Sequence, residues 1–179
     1  MTQFKAFAPG VEVNGDTVLS VVDGLGPFRD AGLQILSSQG IKDPRPGQWY
    51  AQQAWLDAFK IISERLGAGA LLAIGKRIPT NAQWPSQVDT LEQALASIDV
   101  AYHLNHRGGD IGSYHYESTG PTSGKMVCNN PYPSDFDLGL VYAIVRKFAP
   151  KGALTTVKLD ATAPTRKQGA ETCTFLITW

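Results

Sequence analysis

Cysteine, histidine, charge and long apolar runs are all scarce in this 179-residue chain, and each scarcity removes a class of protein. Two cysteines, Cys128 and Cys173, are too few for a disulfide framework. Free thiols and a reducing, cytoplasmic setting are therefore expected. The longest purely apolar stretch, Ala68 to Ile74, falls far short of the roughly 20 residues that a membrane helix needs. The opening Met1-Thr2-Gln3-Phe4-Lys5 lacks the charged and apolar segments of a signal peptide. Lys+Arg and Asp+Glu both total 16, which leaves no net charge. The basic pairs Arg146-Lys147 and Arg166-Lys167 read as a helix end and a turn, so nucleic acid is not an expected partner.

Motifs of common chemistry are missing as well. The segment from Gly120 to Lys125 has three residues between its glycines where a phosphate loop needs four, and Met126 stands in place of Ser or Thr. Gly69 to Lys76 fails on spacing too, and Gly24-Leu25-Gly26 lacks the third glycine of a dinucleotide fingerprint. There is no nucleophile elbow, and neither cysteine has a neighbouring histidine in sequence. No active site of its own is expected.

What is present is periodicity. Asp16 to Ser38 reads as two short helices broken at Gly24, Gly26 and Pro27. Trp55, Phe59, Ile62 and Leu66 form one apolar stripe, which predicts a helix from about Gln48 to Leu66, ended by Gly67 and Gly69. Ala70 to Ile78 reads as a short buried helix stopped by Pro79. A further helix starts at Asp89, with Glu92 at capping-box spacing and Thr90 as a competing cap. Its stripe runs through Leu91, Leu95, Ile98, Tyr102 and His106 to Gly108-Gly109. The period then changes to two. Ser113 to Ser118 and Lys125 to Asn129 read as a hairpin, and Leu154 to Asp160 and Thr172 to Trp179 as later strands. Between these pairs lies a helix with Ser134 as N-cap and with Asp135 and Asp137 favouring its dipole. The pattern predicts one α+β domain over 1–179. A helical part spans 1–109, and a hairpin, helix and two strands over 110–179 complete an antiparallel sheet of about four strands.

The chemistry-bearing residues cluster loosely. His103, His106 and His115 lie within thirteen positions, and imidazole is a common ligand for zinc and haem iron. The competing reading is that His106 caps carbonyls at a helix end while His103 stays in solvent. Trp55, Phe59, Tyr102 and His106 share the inward stripes of the two longest helices, with Tyr114, Trp49 and Tyr50 near in sequence. Aromatic walls with a few polar groups describe a small-molecule pocket, although the same residues could simply fill a core.

The phrase from Asn130 to Gly139 resembles the 4-vinyl-reductase-type domain, as do Ala163 to Phe175 and Tyr102 to Gly109 followed by Ile111-Gly112. The resemblance covers the half of the chain from Tyr102 on. It implies an α+β fold related to haem nitric-oxide-binding domains and to a Golgi vesicle-tethering subunit. It also implies a small hydrophobic or aromatic ligand held between helices and sheet, and a homodimer. Zinc-bearing members resemble this chain with cysteine where Ser134 and Thr165 stand and a further cysteine at Cys173. Hydroxyls are poor zinc ligands, so no zinc is expected. The first expectation is thus a non-enzymatic binding or sensing domain for a small apolar molecule, seated at Trp55, Phe59, Tyr102, His106 and Tyr114. No cofactor is expected. One alternative is a haem or metal sensor using histidine, although no haem-contact motif of the nitric-oxide sensors is recognisable. Another is an accessory protein in vinyl reduction of tetrapyrroles such as bacteriochlorophyll precursors. With the chain ending at Trp179, signalling would need a separate output or enzyme partner.

Overall fold

The computed structural model describes residues 3–179 and is α+β, with helices before and around a C-terminal antiparallel sheet. In order, the elements are β1 (Glu12–Asn14), α1 (Gly15–Gly24), α2 (Arg29–Ser38), β2 (Trp49–Ala51), α3 (Gln52–Leu66), α4 (Ala68–Gly75), α5 (Ile78–Asn81) and α6 (Leu91–Leu104). They continue with β3 (His106–Arg107), β4 (Ser113–Gly120), β5 (Ser123–Asn129), α7 (Ser134–Phe148), β6 (Thr156–Leu159) and β7 (Cys173–Thr178). Short 3-10 turns occupy Gly26–Phe28 and Arg166–Gln168.

Helix α1 ends where the sequence breaks. Gly26 adopts a left-handed φ of 49°, Pro27 opens the 3-10 turn, and α2 begins at Arg29. Helix α3 starts four residues later than its stripe predicts. Trp49–Ala51 are drawn out as a strand, pairing antiparallel with β1, so Gln48 to Ala51 are not helical. Trp55, Phe59 and Ile62 are then fully buried on one face. Burial stabilises each such side chain by about 1.5–3 kcal/mol relative to exposure. Helix α6 is capped by Thr90, whose hydroxyl accepts from the Gln93 N–H while the Gln93 side chain accepts from the Thr90 N–H. Thr90 thus prevails over Asp89 and Glu92. The helix stops at Leu104, so His106 lies in β3 rather than on the helix.

Pro79 does not stop a helix but opens one, near the start of α5, where a missing N–H costs nothing. The helical first half also carries a three-stranded sheet, β2-β1-β3, which periodicity did not predict. The larger sheet has the order β4-β5-β7-β6, every pair antiparallel. Its hairpin is tighter than expected: β4 and β5 extend to Gly120 and Ser123, leaving Pro121-Thr122 as the turn. Met126 and Cys128 of β5 share the inner face with Cys173, Phe175 and Ile177 of β7.

Helix α7 begins at Ser134 without a side-chain cap, because the Ser134 hydroxyl points inward to Cys173. Helices α4 and α7 cross at their glycines. A Cβ on Gly75 would lie 2.1 Å from the Phe136 carbonyl oxygen, and one on Gly139 would lie 2.2 Å from that of Leu72. No side chain fits at either point.

Candidate functional site

Four elements converge on one enclosed space. Trp55 reaches it from α3, Tyr102 from α6, His106 from β3 and Tyr114 from β4. Tyr132, Phe136 and Leu140 close it from the segment before α7 and from α7 itself, with Thr17, Ile78, Ala82, Trp84, Ile98, Ala101 and Asn105 completing the wall. Phe59 lies behind this lining. Its ring packs 4.7 Å from Trp55, 6.0 Å from Tyr132 and 5.1 Å from Phe136. Trp49 and Tyr50 are elsewhere: Trp49 stacks under Arg107 at 4.3 Å, and the Tyr50 hydroxyl donates to Gln48.

The aromatic rings take up most of the room. The remaining cavity measures about 30 Å³. One water needs roughly 10–15 Å³ by this kind of measure and benzene about 150 Å³, so the space suits a guest of one to three heavy atoms.

Hydrogen bonds fix the protonation pattern of the wall. His106 Nδ1 lies 2.8 Å from the Tyr102 carbonyl, which can only accept, so Nδ1 carries the proton. Nε2 is then a lone pair, and the Tyr132 hydroxyl, 2.6 Å away, must donate to it. Gln52 Nε2 in turn donates to the Tyr132 oxygen at 3.1 Å. Burial lowers the His106 pKa to about 4, and it holds the hydroxyls of Tyr102, Tyr114 and Tyr132 above their ordinary range. The lining is therefore uncharged near neutrality.

Most of its polar groups are spent. Tyr102 donates to the Ile111 carbonyl at 2.5 Å, and Trp84 Nε1 donates to Ser97 at 2.9 Å. Asn105 accepts from Thr17 and from the Gln83 N–H while donating to the carbonyls of Gln83 and Ala101. The exception is the Trp55 indole N–H, wholly buried and without a partner among the described residues. Gln52 Oε1, one bond behind Tyr132, is likewise unpartnered.

Below the cavity lies a second polar cluster. The Tyr114 hydroxyl donates to Asp137 Oδ1 at 2.6 Å, and Asp137 Oδ2 accepts from Asn130 and from Arg166. Arg166 also donates to the carbonyl and side-chain oxygens of Asn130, at 2.6 and 2.8 Å. Both Asp137 and Arg166 are fully buried. This corrects two sequence readings: Asp137 is not a solvated dipole charge, and Arg166 is not merely a turn residue. Burial pushes the Asp137 carboxyl up, opposed by the Arg166 charge and the three donors. Asp135, by contrast, pairs at the surface with Lys167 at 2.7 Å.

Ser134 and Cys173 do meet, with Oγ and Sγ 2.7 Å apart, and the Arg166 N–H donates to that sulfur at 3.2 Å. Thr165 is adjacent and buried, and Cys128 stands opposite Cys173 in the sheet. Both thiols are free. Among the described residues, no group of three or more His, Cys, Asp or Glu could hold a metal ion. His103 and His115 lie on exposed positions, and His103 bonds the Asp99 carbonyl within its own helix. The three histidines are thus not brought to one point.

Periodicity missed Tyr132, Asn105, Gln52 and the Asp137–Arg166 pair. Only Tyr132 had a signal, since it lies inside the phrase that carried the resemblance.

This arrangement of helices over a four-stranded antiparallel sheet is the fold of the haem nitric-oxide-binding, or H-NOX, domains. An H-NOX protein from S. oneidensis, determined in the Fe(II)NO ligation state, matches with a TM-score of 0.64 and 12% identity, covering 92% of this chain and 97% of that one. A single-substitution mutant of T. tengcongensis H-NOX matches with a TM-score of 0.65 and 16% identity, covering 92% and 96%. An unliganded Fe(II) H-NOX mutant from K. algicida gives 0.62 and 17%, covering 92% and 95%. At these identities the likeness establishes the fold. No family model and no curated protein matches the chain. Among the described residues, no helix is long and apolar enough to cross a membrane.

Proposed function

We propose that this chain is a ligand-binding, sensor-type domain whose guest sits in the cavity beside His106. One observation carries the reading: an enclosed, uncharged space, walled by aromatic rings and still offering an unspent hydrogen-bond donor, lies where helices meet sheet. The guest is smaller than the apolar or aromatic molecule expected from sequence, because about 30 Å³ does not admit a benzene ring.

The second reading is a haem sensor. The fold likeness favours it over a free aromatic ligand. His106 supports it, since a neutral imidazole with Nδ1–H tied to a backbone carbonyl is oriented as metal ligands are. Space opposes it. Tyr132 occupies His106 Nε2, and Tyr132, Trp55 and Phe136 interlock edge-on where a macrocycle would need a slot. The residues provide an axial donor but not the room, so haem does not fit this interior and no chemistry at iron is derived.

Haemin titration separates the readings. A Soret band that the parent chain develops and His106→Ala lacks establishes the haem reading. Saturable binding of very small guests with no Soret band establishes the first. The 4-vinyl-reductase-type kinship, a single domain over 1–179, the homodimer, the cytoplasmic setting and a separate output or enzyme partner belong to the same proposal. Light scattering of the purified chain tests the dimer.

A further inference from the structure

A cavity this small selects by its polar atoms rather than by its shape. Every polar side chain of the lining has its partners within the protein except the Trp55 indole N–H, which is fully buried. A buried donor without an acceptor forfeits the hydration it had in the unfolded chain, and any guest that supplies an acceptor restores that loss. A guest that supplies none leaves the penalty in place. The other candidate acceptor sites are closed to competition, because His106 Nε2 already receives the Tyr132 proton and the Tyr132 oxygen already receives Gln52. A guest therefore finds a donor in Trp55 and no free acceptor in the wall. No ionised side chain lines the space, so a charged guest would lose its hydration without compensation.

We infer that the cavity discriminates by chemistry: it takes uncharged molecules of one to three heavy atoms that present an oxygen to the Trp55 N–H, the simplest alcohols and amides, over apolar molecules of equal size. This rests on the cavity being the guest seat proposed above, and adds the class of guest.

The chain's four tryptophans make the test direct, since each gives one indole N–H signal in a proton–nitrogen spectrum and Trp55→Phe identifies its own by deletion. Methanol, formamide and xenon under pressure are titrated separately into the full chain. The expected result is a saturable downfield shift of the Trp55 indole proton with methanol and formamide, with the signals of Trp49 and Trp179 unmoved. Xenon binds about tenfold more weakly, the worth of roughly one hydrogen bond. In Trp55→Phe that gap closes. Equal binding of xenon and methanol by the parent chain overturns the selectivity while leaving the guest seat intact. If none of the three probes produces a saturable shift, the seat itself falls, and the selectivity with it. These outcomes are read on the parent chain, so they stand even if Trp55→Phe does not fold.

Discussion

The cavity beside His106 and the cluster around Arg166 lie on either side of Tyr114, equally shut off from water, yet they keep polar groups buried in opposite ways. Around Arg166 the solution is charge: a guanidinium against a carboxylate, with Tyr114 and Asn130 adding donors until the Asp137 oxygens are filled. Around His106 the solution is neutrality: burial drives the imidazole to its uncharged form, and a relay from Gln52 through Tyr132 fills its lone pair. A charged pair tolerates no vacancy among its partners, since an uncompensated ion in a dry interior is very costly. A neutral wall tolerates one, and Trp55 shows it. The comparison places rigidity at the floor of the fold and adaptability in the cavity above it.

The sharpest way to break this contrast is to remove one partner of the ion pair. Arg166→Met leaves the Asp137 carboxylate alone and is expected to lower stability in urea unfolding by about 3–5 kcal/mol, whereas the double variant Arg166→Met with Asp137→Leu loses less than that. The neutral side responds to acid instead. His106 titrates at about 4 when folded, against an ordinary value of 6.5. The unfolded chain therefore takes up this proton first. The stabilisation is fully present above pH 6.5 and is lost as pH falls towards 4. That loss amounts to roughly 3 kcal/mol, and it should be absent from the pH profile of His106→Gln. Tyr132→Phe strands both His106 Nε2 and Gln52 Nε2, and is expected to cost about 1–3 kcal/mol in the same unfolding assay. His103→Ala marks the baseline: an exposed imidazole bonded only within its own helix should change stability by no more than about 0.5 kcal/mol.

Sequence patterns revealed those parts of the fold that repeat. The stripe of α3, the stripe of α6 and the alternation of β5 and β7 each span several turns or pleats, so the face they bury is written in spacing. The sheet of β1, β2 and β3 is not, because its strands are three, three and two residues long and pair Glu12 with Arg107 across most of the helical half. Charge pairs hide for a related reason. Asp137 sits where a helix dipole already accounts for an acid, and nothing in its surroundings points to an arginine 29 positions away. Trp55, Tyr102, His106 and Tyr114 were legible as inward-facing residues. Whether such rings fill a space or frame one turns on a few ångströms, which residue order does not encode.

The crossing of α4 and α7 at Gly75 and Gly139 has a mechanical outcome. Two helices in backbone contact at both points cannot slide or roll against each other without collision, so they behave as a fixed axle carrying Phe136, Asp137 and Leu140 with them. Any doorway for a guest must then swing on the opposite jamb, in the half-buried stretch that brings Ala82 and Trp84 to the cavity between α5 and α6.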